Sequence, residues 1–261
     1  VGVLGVPGGP IVEIARQGGK NELSARVDAL LLAAHSSTGG TLIKTAPTLE
    51  PQLRTSYNRL TTYLLADGIR HAAGFPSVSV GRASIEFRSA EKSANVVGAT
   101  ASLLLEVDEA QDVGEEVFDT RFRPMAATTN ATTVLYGTAW SETDLLQRTI
   151  AANETAQALD GIRRNFIYPW QEVARFVPAY HNFVTAERAR LGADDPRFTT
   201  QYDLTPLAGE GRLFNAHQLA QLQGEHPRER GALVGAHYVA GLDLAGQDTG
   251  SGRANDRTVL T

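Results

Sequence analysis

The strongest constraint on the fold lies in the stretch from Ala101 to Val113, ASLLLEVDEAQDV. Leu103, Leu104, Leu105 and Val107 make a short, nearly continuous apolar run that ends abruptly in the pair Asp108 and Glu109. Such a run reads as a strand buried on both faces, the pattern of a parallel sheet covered by helices. Two carboxylates at the carboxyl end of a buried parallel strand stand where open α/β sheets hold their ligands. An ordinary strand-to-helix turn with a capping Asp accounts for the pair equally well when it is taken alone. For the acids to act on a phosphorylated ligand, another element must grip the phosphates.

That element is found upstream. Ile11, Val12 and Ile14 suggest a strand that stops at Ala15, and RQGGKNELSARVDALLLAAH follows, with a helical apolar pattern from Leu23 through Leu32. Strand, Gly-containing turn, Lys and helix together form a phosphate-binding architecture. Backbone N–H groups at a helix N-terminus point at the anion, glycines let the chain approach it, and a Lys neutralises the terminal phosphates. The candidate binding residues are Gln17, Gly18, Gly19, Lys20 and Asn21. The match to the standard P-loop has two departures: Ile14 occupies the first Gly position, and Asn21 stands where a Mg²⁺-binding Ser or Thr is expected.

Further strands follow at intervals. Thr41–Lys44 reads as one, and a turn at Ala46-Pro47-Thr48 leads into an amphipathic helix carrying Leu49, Leu53, Tyr57, Leu60 and Leu64, with Thr48 as its N-cap. VSVGRASIEFRS reads as a β-hairpin, Val78 and Val80 in one arm and Ile85 and Phe87 in the other, polar enough to be an exposed insertion. After the acidic strand, Val113–Phe118 opens a helix. Thr132–Tyr136 is another β-branched strand, ending in Gly137-Thr138-Ala139 before a helix that Ser141 can cap. A strand ending in a small polar turn is what a γ-phosphate sensor requires, and Thr138 is the candidate.

Taken in order, ARQGGKNELSA, TAPT, LLLEVDEAQDV and YGTAWSET resemble the ATPase domain of a tailed-phage terminase large subunit, the motor that packages viral DNA. The family often carries an Arg-Gln-x-Gly-Lys variant of the P-loop, matched here by Arg16, Gln17, Gly19 and Lys20. The resemblance spans most of residues 10 to 150. It implies an α/β P-loop fold with a mainly parallel sheet flanked by helices, binding ATP and Mg²⁺. In it Lys20 binds the β/γ-phosphates, Asp108 holds Mg²⁺, Glu109 orients the hydrolytic water, and Thr138 belongs to the segment that couples hydrolysis to movement. Arg16 stabilises the charge of phosphoryl transfer in cis. Glu106 shares a strand face with Asp108 and places a further acid beside the site, whether paired, protonated or metal-linked.

Beyond residue 160 the chain changes character. DGIRRNFIYPWQ carries an apolar patch that suits a linker packed across two domains, and PAYHNFVTAERARLGADDPRF reads as a helix with Tyr180, Phe183, Val184 and Leu191 on one side. Asn215 is a candidate cap for a further helix, and His217, His226 and His237 lack a common ligand spacing. YVAGLDLAGQDTGSGRANDRTVLT reads as a hairpin with Asp243 in an apolar setting. It resembles the first hairpin of the RNase H-like nuclease domain of large terminases, in which the matching Asp binds catalytic Mg²⁺ or Mn²⁺; Asp256 is a weaker candidate. The expected organisation is a P-loop ATPase domain over 1–160, a connecting region over 161–230, and the start of the nuclease domain over 231–261, in a chain cut at both ends. The expected partners are double-stranded DNA, the small terminase subunit and the portal protein, with a homo-oligomeric ring as the active form in the host cytoplasm.

Composition limits the alternatives. Cysteine is absent, so disulfides and thiolate metal sites are excluded. No apolar run approaches the roughly 20 residues of a membrane span. A net charge of -5 gives no global basic field, so any DNA contact must use local patches. A helicase-like P-loop ATPase and a nucleotide-binding protein without hydrolysis remain as alternative readings.

Overall fold

The computed structural model describes residues 9–91 and 98–208, together with the strands Leu242–Asp243 and Val259–Leu260. In chain order the first part runs β1 (Ile11–Ile14), α1 (Lys20–Ala34), β2 (Gly40–Ala46), α2 (Arg54–Ala66), β3 (Ala72–Gly74), β4 (Ser77–Val80), β5 (Ala83–Ser89), β6 (Leu104–Val107) and the single turn α3 (Glu115–Val117). It continues with β7 (Thr132–Gly137), α4 (Leu145–Asp160), β8 (Asn165–Tyr168), α5 (Trp170–Ala174), α6 (Pro178–Leu191) and α7 (Pro196–Gln201). The chain divides into two compact units, Val1–Ala216 and His217–Thr261.

Eight strands form one sheet in the order β3-β4-β5-β2-β6-β7-β1-β8. From β5 to β8 every pairing is parallel, which makes the fold the expected α/β class. The apolar run is buried throughout β6, and period-two alternation divides the central strands between two cores. Val12, Ile14, Leu42, Leu104 and Val134 pack under α1 and α2 with Leu32, Leu60 and Leu64. On the other face Ile11, Ile43, Leu105 and Leu135 pack with Phe118, Phe122, Leu146 and Ile150.

Several local expectations need correction. The hairpin of β4 and β5 is antiparallel as read, but it is no exposed insertion: β5 pairs in parallel with β2, and Val78, Val80, Ile85 and Phe87 are all buried. Ser79, Ser84, Glu86 and Arg88 alternate with the apolar residues in that stretch and suggest exposure, whereas the apolar arms are covered by α1 and α2. The patch read as a linker supplies β8, which hydrogen-bonds along β1 from Ile11↔Asn165 to Ile14↔Tyr168. Asp144, not Ser141, caps α4, accepting from the Gln147 N–H at 2.8 Å while Ser141 N–H donates to its other oxygen. Thr48 binds Gln52 at the irregular turn Leu49–Leu53, before α2 begins.

On α6 Tyr180 and Val184 are buried, but Phe183 faces solvent. With Ala15, Trp170, Phe198 and Tyr202 they form a third, smaller core that seats α5–α7 against the end of β1. In the second unit, β9 (Leu242–Asp243) and β10 (Val259–Leu260) pair antiparallel, with Asp243 opposite Val259. Asn215, His217, His226, His237 and Asp256 lie outside the described residues.

Candidate functional site

The chain leaves β1 through Ala15–Gly19 and enters α1 at Lys20. Gln17 and Gly19 adopt positive φ (60° and 98°), and Gly19, as N-cap of α1, makes no side-chain capping bond. The first-turn N–H groups therefore face the loop without a capping side chain. Gly18 is required by space: a Cβ there would stand 2.6 Å from Ile14 Cγ2 and 2.7 Å from the Ala15 carbonyl oxygen. Arg16 is fixed from α6 and α7. Its N–H donates to the Gln201 carbonyl (2.8 Å), its carbonyl accepts from Tyr180 Oη–H (2.7 Å), and its guanidinium donates to Gln201 Oε1 (2.7 Å).

Although β7 lies between β1 and β6, the end of β6 reaches the same loop. Lys20 Nζ is 2.7 Å from Glu109 Oε2 and 4.0 Å from Asp108 Oδ1. Thus Lys20, Asp108 and Glu109 are brought together. Asp108 is buried, and burial raises its pKa, with Lys20 and Lys44 working against that rise. Burial also works to raise that of Glu109, but Lys20, the Gln111 hydrogen bond and Arg16 outweigh it and hold the carboxyl below its ordinary value. Glu109 adopts φ 49°, ψ 50°, a left-handed conformation that is costly for a residue with a Cβ and is concentrated at functional sites.

Arg16, Gln17, Gly19, Lys20, Asn21, Glu109 and Thr138 all line one cleft of about 760 Å³. Its wall also includes Arg59 of α2, together with Gln111, Trp140 and Gln201, three residues that the sequence patterns do not single out as site residues. A cleft of that size falls within the range of small-molecule sites. Asn21 Oδ1 is a buried oxygen with no hydrogen-bond partner, an orphan acceptor in a residue that lines the cleft. Among the described residues no group of three His, Cys, Asp or Glu could hold a metal unaided. A Mg²⁺ ion bound with substrate phosphates needs only one or two protein oxygens, so Asp108 and the Asn21 oxygen fit that ion.

Glu106 has a definite partner. It pairs in register with Lys44 on β2, and Lys44 Nζ lies 2.8 Å from Glu106 Oε1 and 3.3 Å from Asp28 Oδ2. Ser24 accepts from Lys44 and donates to Glu106. Lys20, Ser24 and Asp28 recur every four residues, so α1 presents one stripe to the sheet, headed by the loop lysine. Burial and Glu106 push Asp28 well above the ordinary carboxylate range. Glu106 stays below it because Lys44 and the hydrogen bonds from Asp28 and Ser24 overcome its desolvation. Asp28 therefore holds the proton and donates it to the Glu106 carboxylate. The cluster locks α1, β2 and β6 in register beneath the cleft. Its sequence signal is slight: a lone Lys inside a β-branched strand, and an acid one turn past a helical Ser.

On the opposite face Glu13 is buried, accepts from Gln147 Nε2 at 2.6 Å, and has its pKa pushed up to about 8, chiefly by burial. Asp243 lies in the second unit, and its side chain is not described.

The sequence matches no protein-family profile and no curated protein. Solved structures do match. The large terminase ATPase domain of Thermus phage P74-26, in a point-mutant form, superposes with a TM-score of 0.58 at 17% identity, covering 76% of this chain and 88% of that one. The large terminase of bacteriophage HK97 gives 0.56 at 16% identity, over 73% of this chain and 45% of its own. The large terminase of a thermophilic bacteriophage, in complex with ATP-gamma-S, gives 0.54 at 10% identity, over 74% of this chain and 46% of its own. This chain therefore spans most of an isolated terminase ATPase domain and just under half of the longer terminase chains. The eight-stranded α/β unit has the fold of the ATPase domain of phage large terminases.

Proposed function

We propose that this chain carries the ATP-hydrolysing motor of a viral DNA-packaging terminase, translocating double-stranded DNA. The observation that carries the reading is the meeting of Lys20 with Glu109 and Asp108 beside the glycine-containing loop, at the carboxyl ends of strands that are not neighbours. Lys20 pairs with Glu109 and lies 4.0 Å from Asp108. With nucleotide bound, the lysine turns to the β/γ-phosphates, the N-terminal turn of α1 receives them, and the freed Glu109 accepts a proton from or orients the attacking water. Gln17, Gly18 and Gly19 line the phosphate path, and Asn21 and Asp108 would hold Mg²⁺, which supplies charge neutralisation at the transferring phosphoryl group. Arg16 stands ready to stabilise the equatorial oxygens in cis. Thr138, at the end of β7, reports loss of the terminal phosphate.

Support for nucleotide binding comes from the thermophilic phage's large terminase, which shares the fold and has been solved in complex with ADP and with ATP-gamma-S. The β9/β10 ladder suits the opening of an RNase H-like nuclease, with Asp243 as a ligand for Mg²⁺ or Mn²⁺ in a longer chain. Double-stranded DNA, a small terminase subunit, a portal protein and a homo-oligomeric ring belong to the same proposal. The test is phosphate release with Mg²⁺-ATP, with and without double-stranded DNA. Lys20→Ala should lose binding and turnover, and Glu109→Gln should bind nucleotide without turning it over. Near-normal turnover in either variant would refute the assignment.

A further inference from the structure

Gln111 joins three groups around the cleft. Its side-chain oxygen accepts from the Thr138 backbone N–H at 3.2 Å, and its Nε2 donates to Glu109 Oε2 at 2.8 Å and to Asp112 Oδ2 at 3.2 Å. The backbone N–H can only donate, so it fixes the orientation of the amide. The nitrogen is thereby aimed at the carboxylates, and no flipped amide satisfies the same partners. Space for this arrangement comes from Gly137: a Cβ there would stand 2.6 Å from the Gln111 side-chain oxygen and 2.5 Å from Leu146 Cδ2.

Glu109 needs such an anchor. It sits in a left-handed conformation on a single turn at the end of β6, and its side chain has two described partners, Lys20 and Gln111. Any anion that engages Lys20 removes one of them. The hydrogen bond from Gln111 then becomes the remaining link between the Glu109 carboxylate and the protein, and its other end is fastened to the β7–α4 loop.

We propose that Gln111 is a positioning residue that holds Glu109 in register with the Thr138 loop once Lys20 has turned to phosphate, so that the water-orienting carboxylate and the loop that reports the terminal phosphate move together. The inference rests on the ATPase reading. It requires the donor toward Glu109, and packing or the Thr138 tether alone does not suffice.

Two near-isosteric variants of the full chain separate these roles. Gln111→Met keeps length and removes both hydrogen bonds, whereas Gln111→Glu keeps an acceptor for Thr138 N–H but opposes Glu109. Turnover of Mg²⁺-ATP is measured alongside equilibrium binding of ATP-gamma-S, with circular dichroism to show that each variant is folded. Gln111 binds Glu109 and the Thr138 N–H but makes no hydrogen bond to Lys20 or to the Ala15–Gly19 loop, so kcat should fall roughly 10- to 100-fold in both variants while KM and ATP-gamma-S affinity stay within about twofold. Wild-type turnover in Gln111→Glu overturns the proposal, because the acceptor alone would then suffice. Parallel loss of binding and turnover also overturns it, since a structural defect would then explain both. Wild-type chain that releases no phosphate overturns the ATPase reading, and this inference with it.

Discussion

Replacing Lys44 with Met tests whether the ionic cluster under α1 is integral to the fold. Lys44 is 1% exposed and touches Glu106, Asp28 and Ser24, so the variant leaves the Glu106 carboxylate with only the Ser24 hydroxyl and the Asp28 proton. Removing one partner of a buried ion pair costs about 3–5 kcal/mol, because the remaining charge stays desolvated. Unfolding free energies of domains are about 5–15 kcal/mol, so the variant should fold but with much of its margin gone. At a urea m-value of about 2–3 kcal/mol per molar, the midpoint should drop by roughly 1–2 M. Trp140 and Trp170, the chain's two tryptophans, provide the fluorescence signal for equilibrium unfolding. The double variant Lys44→Met/Glu106→Gln removes the orphaned charge and should recover about 2 kcal/mol or more relative to the sum of the single changes. A cost below about 1 kcal/mol for Lys44→Met, or strictly additive single changes, would refute the account of the cluster.

Three further outcomes follow from particular contacts. Burial raises the Glu13 pKa from 4.5 to about 8, so the folded protein holds a proton there that the unfolded chain has released; stability should fall as pH rises from about 4.5 to about 8, by up to about 1.4 kcal/mol per pH unit. Urea unfolding at several pH values should show a shallower slope in Glu13→Gln, and parallel slopes would contradict the assignment. Asp144→Ala removes the cap of α4 and should lower stability by about 1 kcal/mol, read as a drop in Tm; an unchanged Tm would mean that the cap contributes nothing. Gly18→Val places atoms where Ile14 and the Ala15 carbonyl already stand, so ATP-gamma-S affinity measured by calorimetry should fall by about tenfold or more, and unchanged affinity would show that the loop tolerates displacement.

The parallel core and the two halves of the cleft are legible in the sequence because burial and chemistry coincide in short patterns. Leu104–Val107 is apolar at every position except Glu106 and is buried at all four, and the acids follow it directly. Gly18 and Gly19 meet backbone requirements that few other residues meet, and Lys20 follows them directly with its charge. The edges of the sheet are harder to read. β5 presents Ser84, Glu86 and Arg88 on one face and β8 has a polar start, so each reads as lying outside the sheet, yet pairing with β2 and β1 decides their place. Gln111 and Lys44 act through partners 27 and 62 positions away, a relation no local pattern encodes. Ser141 and Asp144 both suit the cap of α4 by residue type, and only tertiary geometry chooses the aspartate.

A structure of the chain with Mg²⁺ and ATP-gamma-S bound addresses the central claim most directly. The account predicts the terminal phosphates on the N-terminal turn of α1, with Lys20 Nζ withdrawn from Glu109 and within hydrogen-bond distance of a phosphate oxygen, and Asp108 beside the ion. Nucleotide seated elsewhere, with the 2.7 Å Lys20–Glu109 pair intact, would contradict it.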